Sequence, residues 1–212
     1  MRNFSPSRTT GRNSPVTIAL IVLNITIFIA ELVTGDLSQL FLGTTNSTLV
    51  TQYGLYPPAV QNGEWWRLFT SMFLHSGIMH IFFNMLTLYS IGWIIEREFG
   101  WFRYLLIYLL SGLCGGLFTC FIELTYTGAH LTVGASGAIF GLFGALLGLG
   151  LRTRSWSYAR STLINIIWML LPGFFSTGVS ITSHIGGVLS GAVLGLLLSK
   201  RRKAKERKDL YV

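Results

Sequence analysis

The chain has 212 residues, of which 51% are hydrophobic and only 11% charged, and its formal net charge is +8. Soluble domains carry about 25% charged residues, and disordered chains combine high charge with low hydrophobicity. A soluble globule and a disordered chain are therefore excluded, and with two cysteines a disulfide scaffold is not expected. Half of the charges lie near the two ends, and a bundle embedded in lipid needs few elsewhere.

Six apolar stretches are predicted to be membrane-crossing helices, which need about 20 residues each. They cover residues 16–33, 68–95, 104–122, 131–151, 163–175 and 181–199. The fifth has the weakest pattern, since it is short and contains Pro172 and Gly173 near its end. The sequence thus predicts an all-α protein with a six-helix membrane domain at 16–199, between basic tails at 1–15 and 200–212.

The distribution of lysine and arginine predicts the orientation, because cytoplasmic connections collect these residues. Both tails are basic, and so are the connections after the second and fourth spans. Both termini are therefore predicted to be cytoplasmic, and the second, fourth and sixth spans begin at the outer face. The basic C-terminal run is expected to contact the anionic inner leaflet of the lipid bilayer. Binding of nucleic acid is the less favoured alternative.

Polar side chains inside predicted membrane spans are costly and call for a functional hypothesis. His80 and Asn84 lie four residues apart on one face of the second span. Ser136 lies in the fourth span and His184 in the sixth. Each alone is compatible with simple helix packing. Because all three spans start at the outer face, the four side chains are expected to converge just below it. His75 is predicted to face elsewhere and to be structural.

Glycines at four-residue spacing mark the fourth and sixth spans. Such spacing lets two helix backbones approach closely, which would bring Ser136 near His184. The stripes consist of Gly137, Gly141, Gly144 and Gly148 in the fourth span, and Gly187, Gly191 and Gly195 in the sixth.

This set of residues predicts acyl-transfer chemistry. A serine hydroxyl needs an adjacent base, and a neutral His184 is the candidate for Ser136. The backbone N–H of Ser136, together with His80 and Asn84, is predicted to stabilise the oxyanion. No acid lies near His184 in the sequence, so the prediction is a Ser–His dyad in a hydrated cavity open to the outer face.

The chain resembles the rhomboid intramembrane serine proteases over residues 66–191. The matching residues are Trp66-Arg67, His75, His80, Asn84, Gly92, Glu96, Gly134-Ala-Ser136-Gly137 and His184-Ile-Gly-Gly187. The resemblance implies a six-helix core that cleaves transmembrane helices of other proteins near the outer leaflet. It also implies Ser136 as nucleophile and His184 as base, His80 and Asn84 in or near the oxyanion hole, and neither metal nor organic cofactor.

Two positions depart from the pattern of many rhomboids. Phe140 stands where some members have a tyrosine stacked on the catalytic histidine, and Ser183 stands where many have alanine. Arg67 and Glu96 resemble structural positions of the family.

Two other classes of function compete with the protease. The first is a proteolytically inactive rhomboid-like protein that binds transmembrane helices, and the second is a channel or transporter. Transporters often show internal repeats and paired broken helices, which this sequence lacks. The predicted location is a bacterial plasma membrane, with the active site toward the extracytoplasmic side.

Overall fold

The computed structural model describes residues 14–35, 47–175 and 180–199. The predicted tails at 1–15 and 200–212 lie outside these ranges, apart from residues 14 and 15. Within them the chain is helical, and its strand-like pairing is limited to one bridge between Leu55 and Thr132. The predicted all-α class is confirmed.

The described residues form a succession of helices. They are α1 (Pro15–Thr34), α2 (Thr48–Tyr53), α3 (Pro57–Gln61), α4 (Arg67–Thr70), α5 (Ile78–Phe99), α6 (Trp101–Ile122), α7 (Ser136–Arg152), α8 (Trp156–Phe175) and α9 (Ile181–Leu198). Among the described residues, α1, α5, α6 with its extension to Thr127, and α9 are long and apolar enough to cross a membrane, while α7 is a shorter apolar helix. Each of the six predicted spans overlaps one of the longer helices, in the order α1, α5, α6, α7, α8 and α9. The count of six crossings and the orientation of the termini stay predictions.

Two predicted spans begin later in the structure than the hydropathy pattern indicates. The stretch predicted as 68–95 starts with α4 and a 3-10 turn at Ser71–Phe73, and α5 begins only at Ile78. The stretch predicted as 131–151 becomes helical at Ser136, because the residues before it are held in a loop by the Leu55–Thr132 bridge. Ser136 is therefore the first residue of α7, whereas the predicted span would have started five residues earlier.

Helix α7 lies at the centre of the bundle and packs against α9, α6 and α8. The glycine stripes of α7 and α9 face each other, as their spacing predicts. A Cβ on Gly187 would overlap the carbonyl oxygen of Gly137, and one on Gly191 would overlap that of Gly141. Since Gly137 follows Ser136 and Gly187 lies one turn after His184, this contact brings the two side chains together.

Glu96 ties the start of α1 to α5. Its buried carboxylate accepts hydrogen bonds from the backbone N–H groups of Val16 (3.1 Å) and Thr17 (3.0 Å) and from the Thr17 hydroxyl (2.8 Å). The first N–H groups of a helix have no partner within it, and an anion at this end is stabilising. The contact made by Glu96 is therefore structural, and it lies near the opposite end of α5 from His80.

Arg67 organises the loop between α2 and α4. Its Nε donates to Glu64 at 2.6 Å, and its Nη1 donates to the carbonyls of Thr51 (2.9 Å) and Gly54 (2.8 Å). The guanidinium therefore holds α2 and the start of α4 together, so the geometry of this loop depends on one largely buried side chain.

Candidate active site

The side chains of Ser136 and His184 meet between α7 and α9. Ser136 Oγ lies 2.8 Å from His184 Nε2, a hydrogen-bonding distance. The histidine is 5% exposed, whereas the serine is half-buried. The hydroxyl is thus the more accessible member of the pair.

Packing orients the imidazole of His184. The ring stacks on Phe140, with centroids 4.1 Å apart and planes 22° apart. Its Nδ1 is buried and has no hydrogen-bond partner within the part of the chain that the structure describes. The pair is therefore a Ser–His arrangement without a described carboxylate on the far nitrogen.

The N-terminus of α7 surrounds Ser136 with backbone donors. The first backbone bond that returns to the preceding loop runs from the N–H of Ile139 to the carbonyl of Ala135, at 3.0 Å. The N–H groups of Ser136, Gly137 and Ala138 precede it and have no acceptor one turn back in the helix. They form a local positive pole beside the serine hydroxyl.

His80 reaches this site across Gly134. A Cβ on Gly134 would lie 2.8 Å from both Cε1 and Nε2 of His80 and 3.6 Å from Ser136 Oγ. The imidazole edge of His80 therefore packs against the loop that leads directly into Ser136. Gly134 has φ of +129°, a backbone conformation that favours glycine.

Asn84 lies one helical turn further along α5 than His80, and its hydrogen bond is to His80 and not to Ser136. It is 7% exposed, and its Nδ2 donates to the carbonyl of His80 at 2.8 Å within the same helix. The structure therefore brings together Ser136, His184 and His80, and places Asn84 next to them through His80.

His75 was predicted to face away from His80, and this prediction was wrong. The rings of His75 and His80 meet edge to face with centroids 5.1 Å apart. His75 precedes α5, so the helical spacing on which the prediction relied does not apply to it.

Two residues near His80 were not singled out from the sequence. Ser76 Oγ lies 3.0 Å from Nδ1 of His80, and Glu31 of α1 accepts hydrogen bonds from the backbone N–H of His75. The signal for Glu31 was present, since an acid inside an apolar span calls for a specific partner. For Ser76, the only signal in the sequence was its position four residues before His80.

A small cavity borders the site on the side of α6. It includes residues of the 3-10 turn, of α6, of the loop before α7 and of α9. The lining consists of Leu55, Ser71, Met72, Gly112, Gly116, Thr132, Val133, Gly134, Gly137, Ala138 and Ser183. Several of these have hydroxyl groups or expose backbone, so the cavity is partly polar. Over the described ranges, no group of three or more His, Cys, Asp or Glu could hold a metal ion.

Comparison with known proteins shows the family to which the chain belongs. Residues 62–201 match the family described as Rhomboid domain. The chain is 40% identical over 163 residues to "Rhomboid protease GluP" of Bacillus subtilis (strain 168), which covers 73% of this chain and 31% of that protein. It is 40% identical over 168 residues to "RHOMBOID-like protein 5" of Arabidopsis thaliana, covering 77% of this chain and 53% of that protein.

A further relative is comparable in length. "Putative rhomboid protease YdcA" of Bacillus subtilis (strain 168) is 34% identical over 160 residues, covering 74% of this chain and 77% of the relative. The matched region and the helical architecture define an integral membrane protein, and the chain belongs to the rhomboid family. It spans about a third to a half of the length of GluP and RHOMBOID-like protein 5.

Proposed function

We propose that this chain is an intramembrane serine endopeptidase that hydrolyses peptide bonds in or next to transmembrane helices of other membrane proteins. The observation that carries the proposal is the 2.8 Å separation of Ser136 Oγ and His184 Nε2. Relatives named as rhomboid proteases support it.

The reaction begins with Ser136 as nucleophile. Nε2 of neutral His184 removes the hydroxyl proton as Oγ attacks the scissile carbonyl. The proton on the ring then passes from Nε2 to the leaving amine, which departs and leaves an acyl group on Ser136. Stacking on Phe140 keeps the imidazole in position during both transfers, since no described side chain binds Nδ1.

The tetrahedral intermediate places a negative charge on the former carbonyl oxygen. The N–H of Ser136 at the start of α7 and the Nε2 edge of His80 are the donors supported by their positions around the serine. Asn84 belongs to this set as the next polar side chain along α5, and its amide would have to leave the carbonyl of His80 to take part.

A second attack, by water, releases the acyl group and restores the serine. The cavity beside Gly137 and Ser183 is suited to deliver that water, because it has polar lining and reaches the backbone next to the nucleophile. His184 again removes the proton and returns it to Ser136 Oγ.

The proposal also includes the orientation of the helices in the membrane. Six crossings at 16–199, with both tails in the cytoplasm, place the Ser136 end of α7 toward the extracytoplasmic face. A bacterial plasma membrane is the proposed location, and the Bacillus subtilis relatives support it. The tails at 1–13 and 200–212 lie outside the described residues.

Labelling with a fluorophosphonate tests the proposal, because only an activated serine reacts readily. The protein is solubilised in mild detergent, and wild type is compared with Ser136→Ala, His184→Ala and the matched control Ser190→Ala. Ser190 lies on α9, and its hydroxyl bonds to that helix's own carbonyls. We expect labelling of wild type and Ser190→Ala only, and cleavage of a reconstituted transmembrane substrate to fall by roughly 10⁶-fold in Ser136→Ala. Unlabelled, inactive wild type would instead favour a rhomboid-like protein that binds transmembrane helices without cleaving them.

A further inference from the structure

The turn before α5 holds the ring of His80 by a specific contact. The backbone N–H of Ser76 donates to Nδ1 of His80 at 3.4 Å, and the Ser76 hydroxyl lies 3.0 Å from the same nitrogen. His80 is the third residue of α5, after the N-cap Gly77. A side chain at this position that reaches back to a backbone N–H resembles half of a capping box.

This contact determines where the proton of a neutral His80 resides. A ring nitrogen that accepts from an N–H has no proton of its own, so the proton must be on the other nitrogen. Nδ1 of His80 is the acceptor, and Nε2 therefore carries the hydrogen. The Ser76 hydroxyl must then donate to Nδ1 as well, since Nδ1 has nothing to donate.

The protonated nitrogen faces the candidate active site. Nε2 and Cε1 form the edge of the ring that packs against Gly134, two residues before Ser136. Within the described part of the chain, the two hydrogen bonds of the His80 ring are both at Nδ1. The opposite tautomer would present a lone pair to the developing oxyanion, and a lone pair repels negative charge.

A buried carboxylate on a separate helix holds the turn that carries Ser76. Both oxygens of Glu31 accept from the backbone N–H of His75, at 3.1 and 3.2 Å. Glu31 and His75 are fully buried, and the His75 ring contacts the His80 ring edge to face. The backbone at residues 75 and 76 is therefore anchored to α1 immediately before Ser76 meets His80.

We propose that Ser76 is a positioning residue that holds His80 in the tautomer whose Nε2–H faces Ser136, and so makes His80 a donor to the oxyanion. The role in catalysis rests on the proposed protease function. Ser76 acts only through His80 and touches no reacting atom. Nδ1 accepts two hydrogen bonds from Ser76, and the hydroxyl provides one of them. Removal of the hydroxyl is therefore expected to lower kcat about 2–10-fold and to leave KM unchanged.

Nitrogen-15 NMR tests the tautomer directly, because protonated and unprotonated imidazole nitrogens differ in chemical shift. The full chain is labelled with ¹⁵N-histidine, and its four histidines make the spectrum simple. His80→Ala identifies the His80 signals, and His130, which is largely exposed on another loop, serves as an internal chemical-shift reference. Wild type is compared with Ser76→Ala, and with Ser76→Thr, which keeps the hydroxyl.

The expected result has three parts. In wild type, the proton of His80 is on Nε2. In Ser76→Ala, the population of the Nδ1–H tautomer increases and kcat falls. In Ser76→Thr, the tautomer population and kcat return toward their wild-type values. A wild-type His80 with its proton on Nδ1, or a Ser76→Ala protein with unchanged tautomer and unchanged kcat, overturns the inference. Failure of the protease proposal is separate, since it appears as unlabelled Ser136 in wild type, whereas the tautomer is read without any substrate.

Discussion

Phe140 stacks on the imidazole of His184 with their ring centroids 4.1 Å apart. Both residues are at least nine-tenths buried, and Phe140 lies one helical turn after Ser136 on α7. A single helix therefore presents the candidate nucleophile and the surface against which the candidate base lies flat.

Replacing Phe140 tests whether this stacking orients the base. Phe140→Leu keeps an apolar side chain but removes the aromatic face, and we expect kcat to fall about 2–10-fold, as for the loss of one aromatic pair. Phe140→Tyr keeps the ring and is the matched control, with kcat near wild type. The measurement is cleavage of a transmembrane substrate in liposomes. Equal kcat for the leucine and tyrosine variants would show that stacking does not orient His184.

Gly134→Ala is expected to disturb His80. A Cβ at this position would lie 2.8 Å from His80 Nε2 and Cε1, and the residue also has φ of +129°. The control is Gly128→Ala, because Gly128 has φ of +82° with no atom within 4 Å of the added Cβ. Backbone strain should cost each variant about 1–2 kcal/mol in the free energy of unfolding. Only Gly134→Ala should also lose kcat, and equal kcat in both variants would contradict the assignment of His80.

Asn84→Ala is expected to lower kcat by about 10²–10³-fold, the usual effect of removing one oxyanion donor. The control is Thr87→Ala, whose hydroxyl also bonds a carbonyl one turn back in α5, at 2.8 Å. Both variants lose a hydrogen bond within the helix, and only Asn84 neighbours His80. If the two variants show the same kcat, Asn84 is a structural residue, and the amide stays on the His80 carbonyl during catalysis.

Glu31 is expected to stabilise the fold through the backbone of His75. Glu31→Leu leaves that buried N–H without its acceptor, which should reduce the free energy of unfolding in detergent by about 1–3 kcal/mol. Glu31→Gln keeps one acceptor oxygen at nearly the same place and should lose much less. The comparison requires only chemical unfolding of the two purified variants, and equal stability would show that the contact contributes nothing.

The positions of the long helices follow from hydropathy, because lipid leaves few alternatives to an apolar helix of about 20 residues. The start of α7 does not follow from it. Residues 131–135 are as apolar as the helix they precede, but Thr132 pairs with Leu55, which is distant in sequence, and the helix begins only at Ser136. No local pattern encodes such a contact.

The approach of Ser136 to His184 was predictable from two glycine stripes, since such stripes pack on each other. The surroundings of His80 were less accessible to sequence reasoning. Helical periodicity describes residues within a helix, and His75 and Ser76 precede α5. Their contacts with His80 and Glu31 depend on how the chain turns into the helix, which the periodicity of α5 does not reveal.

The contact between Gly137 and Gly187 has a consequence for the precision of the site. The carbonyl of Gly137 occupies the space that a Cβ on Gly187 would need, so the two main chains touch with no side chain between them. Side chains can exchange rotamers, whereas a backbone of two packed helices has no comparable freedom. Because Gly137 and Gly187 have no side chains, the two main chains can touch. The backbone positions of Ser136 and His184 relative to each other are thus set by rigid main-chain geometry.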